Sequence, residues 1–401
     1  MPDQKQRSRP DLGRANRRSV LAEILFNAPI ARTDIAEITG LTGATVSRIC
    51  RDLVSSNLIH EKASSTPLNR SGRRTIELTL NPDGAYFLGV GINAFVQWVS
   101  IYGLNNNVLA YEELSIDSLA DPIVVLEQVV NKAEEMIQAS AINLDKLIGG
   151  GVAIAGVVEP HSGKLLFSPT LDWGELEVSS IMSERLGFPV CVETFPNTLN
   201  LAETRFGIAK GYSNVVLINA SLRMGASLLL DNQLRRGTNY SAGLIGELPL
   251  QQSQSTGDQE MYLDDVAAGA AVINKIRGEQ GVTSGRKAAN QLQQLKQASI
   301  KGDPAISDAF KQAGKMLSYA ISTVTTLLQP DVIIIAGPMS SVPSYIEGVL
   351  ENIHRSKKAR TAEIPIMVSE ISSEEAVRLL TYNEFLARRD IDLIRLSNTA
   401  V

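Results

Sequence analysis

The chain has 401 residues, 44% of them hydrophobic, and a formal net charge of −5 at pH 7. This composition predicts a large core divided over more than one domain. With two cysteines, Cys50 and Cys191, it excludes a disulfide framework and a cysteine-based zinc site. Both cysteines lie in apolar runs and no run reaches the length of a membrane span, so we expect a reduced, cytoplasmic protein without a membrane partner.

Charge is distributed unevenly along the chain. Residues 1–80 carry 13 Lys and Arg against 8 Asp and Glu, while the remaining residues carry 25 against 35. A basic head on an acidic body suits a DNA-binding domain joined to a domain that does not contact DNA. Residues 1–13 contain basic residues without a following apolar run, which predicts a disordered basic tail and not a secretory signal.

The stretch 33–59 has the pattern of a helix-turn-helix. Thr33 is expected to cap the first helix and Gly40 to end it. Its apolar positions are Ile35, Ala36, Ile38 and Leu41. Thr42 is expected to cap the second helix, whose apolar side consists of Val46, Ile49, Cys50 and Leu53.

The opposite side of the second helix is small, polar and basic, as a recognition helix requires for entry into the major groove. The predicted DNA-binding residues here are Thr42, Ala44, Thr45, Ser47, Arg48 and Arg51. An amphipathic helix pair on the surface of an enzyme would give the same pattern, so that alternative stays open at this point.

The flanking segments favour a winged helix-turn-helix over residues 14–81. Val20, Leu21, Ile24 and Leu25 predict a preceding helix, and 58–62 and 75–80 predict two strands. Between the strands lies ASSTPLNRSGRR, whose arginines are Arg70, Arg73 and Arg74. A basic wing tip can follow the DNA backbone or enter the minor groove. The alternative is a solvated hairpin.

A turn cluster at Asn81–Gly84 marks the boundary to a body of residues 84–401. Alternating and helical periodicities then predict an α/β body. Its expected strands are 86–92, 95–102, 108–116, 147–154, 215–220, 227–230 and 332–336, and its expected helices are 122–139, 263–277, 304–328 and 374–388. Helix 122–139 should bury Ile123, Leu126, Val130, Ala133 and Ile137.

Five blocks of the body occur in the order found in one family: LGVGINAFVQWVSIYGLNNNVL, GVAIAGVVEPHSGKLLFSPTLDW, VETFPNTLNLAE, GASLLLDNQLRRGTNYSAGLIGELPL and IIIAGPM. Together with the winged head, this chain resembles the ROK family, which groups sugar-responsive bacterial repressors with sugar kinases. The resemblance implies an actin-like α/β body of two lobes. The first is approximately 84–195 plus the C-terminal helix, and the second is approximately 196–380.

The individual motifs depart from the family's kinases. Gly91–Phe95 stands where those kinases carry an Asp-Ile-Gly-Gly-Thr phosphate loop, and a second motif, usually rich in glycine, reads Ser221–Ala226. Phe195 stands where a catalytic Asp would act as the base, and a phenyl ring cannot accept a proton. The resemblance therefore implies a non-enzymatic protein that uses no ATP or other cofactor.

The family's zinc and sugar motifs have also changed. Glu247 replaces a zinc-binding His in Ala242–Glu247, no cysteine follows in the next stretch, and Leu244 replaces a Glu that grips sugar hydroxyls. We therefore expect no metal. The candidate ligand-binding residues are Asn197, Glu247 and Asp264, together with Asp172 and Trp173 in a loop that could close over the ligand. A helix cap, a first-turn carboxylate and a packing residue are the alternative roles of Asn197, Asp264 and Trp173.

These observations predict a transcriptional regulator, most simply a repressor of carbohydrate genes. It would bind palindromic double-stranded operator DNA as a homodimer or tetramer, under the control of a small sugar-like effector. The family's Gly-Arg-Pro wing matches Gly72–Arg74, which implies a wing contact for Arg73. Two alternatives stay open. One is a ligand-independent DNA-binding protein whose body only assembles or binds a protein partner, and the other is a diverged sugar kinase.

Overall fold

The computed structural model describes residues 9–63, 76–250, 260–278, 282–355, 363–388, 393 and 396. The head consists of α1 (Arg9–Asn27), β1 (Ile30–Ala31), α2 (Arg32–Thr39), α3 (Gly43–Ser55), β2 (Ile59–Ala63) and β3 (Ile76–Leu80). Its three strands form a sheet in the order β1-β3-β2, which is the expected winged helix-turn-helix architecture. Helix α1 begins at Arg9, inside the segment 1–13 predicted as a tail.

Lobe 1 is built on a five-stranded sheet in the order β10-β7-β4-β5-β6. Its elements are β4 (Tyr86–Ile92), β5 (Gln97–Gly103), β6 (Val108–Leu114), α4 (Pro122–Ala139), β7 (Leu147–Ile154), β8 (Val157–Glu159), β9 (Lys164–Phe167), α5 (Val178–Leu186) and β10 (Val190–Thr194). Asp121 caps α4 by accepting the backbone N–H groups of Ile123 and Val124. Of the predicted apolar face of α4, Leu126, Val130 and Ala133 are buried and Ile137 is half-buried, whereas Ile123 is 46% exposed.

Lobe 2 is built on a second five-stranded sheet in the order β13-β12-β11-β16-β17. The chain crosses from lobe 1 to lobe 2 through α6 (Phe195–Arg205), whose first residue packs on the lobe 1 side against Trp98 and Ala153. The elements of lobe 2 are β11 (Val215–Ala220), β12 (Met224–Leu230), β13 (Gln233–Arg235), β14 (Pro249–Leu250), β15 (Met261–Tyr262), α7 (Asp264–Ala267), α8 (Gly269–Arg277), α9 (Gly285–Ile300), α10 (Pro304–Leu328), β16 (Val332–Ala336), α11 (Pro343–Arg355) and β17 (Ile366–Val368). The predicted helix 263–277 is two helices, because Ala268 is extended (φ −82°, ψ 168°).

The chain then returns to lobe 1 through α12 (Ser373–Thr381) and a π-helical segment, Tyr382–Arg388. The Tyr102 and Thr381 hydroxyls are 2.5 Å apart. The Tyr382 hydroxyl donates to the Gly103 carbonyl (2.6 Å) and accepts from the Asn106 N–H (2.9 Å). These buried bonds fix the end of α12 to the sheet of lobe 1.

The head and body share one hydrophobic core. Helix α1 packs against the π-helical segment, and Val20 and Leu21 belong to the same buried cluster as Phe385 and Leu386. The head is therefore not tethered by a linker alone, and its position depends on the C-terminal segment of the body.

Candidate functional site

The solvent-facing side of α3 has the properties of a recognition helix. Val46, Ile49, Cys50 and Leu53 are buried as predicted, and burial raises the pKa of the Cys50 thiol. On the opposite side Thr42, Ala44, Arg48 and Arg51 are exposed, and Thr45 and Ser47 are half-buried. The predicted residues therefore form one accessible face of small, hydroxyl and guanidinium groups.

Two details of the helix-turn-helix differ from the prediction. Thr42 caps α3 as expected, since its hydroxyl accepts the Thr45 N–H at 3.3 Å, and Gly40 ends α2 at a φ of +68°. Thr33 does not cap α2, because the helix begins one residue earlier and its hydroxyl bonds instead to Asp34. Ile38 is 57% exposed and lies outside the core.

The predicted wing arginines, Arg70, Arg73 and Arg74, lie outside the described residues. The strands that flank them pair in antiparallel register from Ile59↔Leu80 to Ala63↔Ile76. Strands β2 and β3 therefore form a hairpin whose connection is the basic segment.

A cavity of about 410 Å³ lies between the two lobes, a volume typical of small-molecule sites. Lobe 1 contributes the turn after β4, the turn after β7 and residues 169–170. Lobe 2 contributes the β11–β12 turn and the turn after β16, where parallel strands have their carboxyl ends. The segment 369–373, which leads into α12, completes the wall.

The corner that would hold phosphate is closed. Asn93 Oδ1 accepts the backbone N–H groups of Phe95 (2.8 Å) and Val96 (3.0 Å), so these donors do not face an anion. Trp98 lies opposite Gly91 in the β4–β5 register, and a Cβ on Gly91 would overlap its indole ring. No Asp could replace Gly91 without displacing that ring.

Apolar packing also occupies the position of the catalytic base. Phe195 begins α6 and is 7% exposed, and it packs with Trp98, Ala153 and Val377. Phe195 and Val96 line the cavity in front of the indole. Among the residues that the structure describes in this wall, none carries a group that could deprotonate a hydroxyl.

The structure places Asn197 behind that wall and not in the lining of the cavity. Its amide donates to Glu193 Oε1 at 2.8 Å. Glu193 is buried and also pairs with Arg236, with Nη2 and Oε2 2.6 Å apart. Asn197 therefore supports a buried ion pair between β10 and the segment after β13, while its backbone N–H completes the Thr194 cap of α6.

Asp264 and Glu247 both line the cavity. Asp264 Oδ1 accepts the Met224 N–H at 2.7 Å, and its Oδ2 lies 3.6 Å from Arg223 Nη1. Burial raises the pKa of the Asp264 carboxyl above its ordinary value, against the opposing effects of the Met224 hydrogen bond and the Arg223 charge. Glu247 is exposed at the edge of the cavity.

Sequence reasoning did not single out Arg223 as a ligand contact. It lies on the β11–β12 turn, it lines the cavity, and its Nε is buried without a hydrogen-bond partner. A signal was present, since a charged residue in the altered glycine-rich motif follows the carboxyl end of a buried strand. Arg223, Glu247 and Asp264 are the charged residues among those found to line the cavity.

The loop predicted to close over the ligand reaches the cavity with different residues. Trp173 is 4% exposed and its indole N–H donates to the Leu119 carbonyl at 2.7 Å, so the ring belongs to the core. Asp172 is exposed in a left-handed conformation (φ 62°) outside the cavity lining. Pro169 and Thr170 are the residues that face the cavity.

Arg286, at the start of α9, joins the lobes beside the cavity. Its guanidinium donates to the Phe95 carbonyl and to Gln97 Oε1, and the neighbouring Gly285 N–H donates to the Thr170 carbonyl at 2.8 Å. The positions of lobe 2 and of the apolar turn of lobe 1 are therefore linked directly.

Two adjacent helices run from the cavity to the head. Helix α6 starts at Phe195 in the cavity wall and ends at Arg205. The ring of the next residue, Phe206, contacts Phe26 of α1 at a centroid distance of 5.4 Å. Helix α12 packs along α6, starts at Ser373 in the wall and leads into the π-helical segment that packs on α1. Each helix has one end at the cavity and the other near α1.

Among the described residues no group of three His, Cys, Asp or Glu side chains is placed to hold a metal ion. The segment 251–259, which follows the altered zinc motif, lies outside those residues. None of the helices described has the length and apolar character needed to cross a membrane.

Comparison with known proteins gives two family matches. The model of the ROK family matches residues 98–378, and a model of winged helix-turn-helix DNA-binding domains matches residues 14–60. The xylose repressor of Caldicellulosiruptor bescii is 23% identical over 377 residues, which cover 91% of this chain and 94% of the repressor.

Two solved structures share the fold. A ROK family transcriptional regulator, a homologue of the Escherichia coli MLC protein, superimposes with a TM-score of 0.76 at 22% identity and covers 96% of this chain and 99% of its own. A ROK family glucokinase from Streptomyces griseus, in complex with glucose and AMPPNP, has a TM-score of 0.59 at 18% identity and covers 74% of this chain and 97% of its own. The actin-like fold expected for the body is confirmed.

Proposed function

The chain belongs to the ROK family, and from that premise we propose that it is a DNA-binding transcriptional repressor whose body senses a small sugar-like ligand without phosphorylating it. One observation carries the proposal. The head that carries the exposed face of α3 packs onto a body whose phosphate corner and base position are filled by Trp98 and Phe195. Such a body retains a cavity for a ligand but lacks the groups for phosphoryl transfer.

The exposed residues of α3, with Arg48 and Arg51 as its cations, would enter the major groove. The wing arginines Arg70, Arg73 and Arg74 would contact the backbone or the minor groove. One winged head reads few base pairs, so two copies on a palindromic site would provide the specificity. The resemblance to a xylose repressor supports genes of carbohydrate metabolism as the targets.

Ligand control would act through the two helices that run from the cavity to the head. A ligand that draws the lobes together would move Phe195 and Ser373 at the start of α6 and α12. The far ends of these helices bear on α1 through Phe206 and the π-helical segment. A shift of the paired heads relative to their half-sites would change DNA affinity by about 1–3 kcal/mol, the usual range of allosteric coupling.

The test is fluorescence anisotropy of the full chain with DNA from upstream of its own gene and of neighbouring operons. The titration is run with and without sugars, polyols and sugar acids. We expect specific binding that one compound class changes at least fivefold. Absence of specific binding to all these DNA fragments, with the protein folded by circular dichroism, would refute the DNA-binding assignment.

A ligand-independent regulator is the second candidate, and the packing of Trp98 and Phe195 at the altered site favours it. It predicts DNA binding that no compound changes. A diverged sugar kinase is the third candidate, since a glucokinase shares the fold. A nucleotide-binding titration and a hexose phosphorylation assay distinguish it from the two regulators.

A further inference from the structure

The two walls of the cavity differ in chemical character. On lobe 1 the lining consists mainly of hydrocarbon: Ala94, Phe95, Val96, Ala155, Val157 and Phe195. The polar side chains there are Asn93, whose amide oxygen already accepts two backbone N–H groups, Thr170, and Ser373 at the start of α12. All three charged lining residues, Arg223, Glu247 and Asp264, belong to lobe 2.

This asymmetry disfavours a free sugar as the ligand. Hydroxyl groups surround the ring of an unsubstituted aldose, so several would be pressed against the wall of lobe 1. Each hydroxyl that loses water without gaining a partner costs about 1–3 kcal/mol. Lobe 2 also has apolar lining, including Met224, Leu244 and Ala336, but it adds the charged groups of Arg223, Asp264 and Glu247 and the polar side chains of Asn219 and Ser221.

We infer that the ligand is amphipathic: a sugar or polyol that carries an apolar substituent, with its hydroxyl groups on lobe 2 and the substituent against Val96 and Phe195 of lobe 1. This inference rests on the proposed function for the existence of a ligand. It adds the class of the ligand, a glycoside with an apolar aglycone in place of a simple aldose. Burial of the substituent against an apolar wall supplies affinity in proportion to the area removed from water.

The experiment compares matched pairs of compounds by isothermal titration calorimetry with the full chain. The sugars are xylose, glucose and mannose, each as the free sugar and as its phenyl β-glycoside. We expect at least one phenyl glycoside to bind ten or more times tighter than its parent, a difference of about 1.4 kcal/mol. Equal or tighter binding of every free sugar, or no binding of any phenyl glycoside, would overturn the inference.

Two variants locate the effect on the wall of lobe 1. Phe195→Asn should reduce the preference for the phenyl glycoside to less than threefold. Because Phe195 is a core residue, Val96→Thr provides a near-isosteric second test at a half-buried position and should lower the same preference. Val108→Thr, at an exposed position on β6 outside the cavity lining, is the control and should leave it unchanged. If Val96→Thr kept the full preference for the phenyl glycoside, as Val108→Thr is expected to do, the substituent would not lie on lobe 1.

The DNA titration separates the two proposals. A protein that binds operator DNA but prefers free sugars refutes the amphipathic ligand and leaves the regulator intact. A protein that prefers phenyl glycosides but binds none of the DNA fragments supports the amphipathic ligand and refutes the DNA-binding regulator.

Discussion

Gly91→Ala should destabilise the protein because the closed phosphate corner has no room for a methyl group. The new Cβ would overlap Cε2, Nε1 and Cζ2 of Trp98, which faces position 91 across the β4–β5 register. The indole is 1% exposed and packs against Phe195 and Val377, so it has no free space into which to move. Insertion of a methyl group into a packed core costs about 1–3 kcal/mol.

We expect the upper part of that range, about 2–3 kcal/mol, since three atoms of a rigid ring are involved. Replacement of glycine also reduces the entropy of the unfolded chain, which contributes about 0.4–1 kcal/mol of stability. The net loss in the free energy of unfolding should therefore be about 1–2.6 kcal/mol. Urea unfolding followed by tryptophan fluorescence measures it, provided that the m-value stays constant between variants.

Gly174→Ala is the matched control, since no atom lies within 4 Å of the added Cβ. It should be neutral or slightly stabilising. In a Trp98→Leu background the loss from Gly91→Ala should largely disappear, which gives a coupling energy within the usual range of about 0.5–3 kcal/mol. Equal midpoints for Gly91→Ala and Gly174→Ala would refute the closed corner and reopen the question of a phosphate site.

Three further predictions concern the head and the cavity. Thr42→Ala should lower the free energy of unfolding by about 1 kcal/mol through loss of the α3 cap, whereas Thr33→Ala should change it by less than about 0.5 kcal/mol; equal effects in urea unfolding would contradict the cap assignment. Arg48→Ala should weaken operator binding and reduce the slope of log affinity against log salt by about 1 if it contacts a phosphate, with Lys301→Ala as the distant control. Burial raises the pKa of Asp264 in the folded state, so the unfolded state releases this proton first and stability falls as the pH rises from 3.8 through the folded pKa. In Asp264→Asn the free energy of unfolding, measured with urea, should lose this decrease with rising pH. An identical pH profile for the variant and the unsubstituted protein would contradict the raised pKa of Asp264.

Local signals account for the elements that the sequence predicted well. Helix α4 spans Pro122–Ala139 as expected, because Asp121 and the proline mark its start and apolar residues recur at helical spacing. The face of that helix was less predictable. Ile123 is as apolar as Val125, and the position of the neighbouring strands, not the spacing, decides which of them is buried.

The cavity was only partly predictable because its walls come from distant parts of the chain. Asp264 and Glu247 were identified through family motifs and do line it. Trp173 was expected there because a sugar ring can stack on an indole, but its ring lies in the core, where its N–H donates to the Leu119 carbonyl. The placement of Trp98 opposite Gly91 depends on strand register, which the two strand patterns alone do not specify.

The joint between head and body limits which parts of the protein can be exchanged. Helix α1 finds much of its packing surface in the π-helical segment Tyr382–Arg388, at the other end of the sequence. A chimera made by grafting residues 9–80 onto another ROK body would lose that complementary surface of α1. Head and C-terminal segment therefore constitute one transplantable unit, discontinuous in sequence, and a change of operator specificity by domain exchange has to move both pieces together.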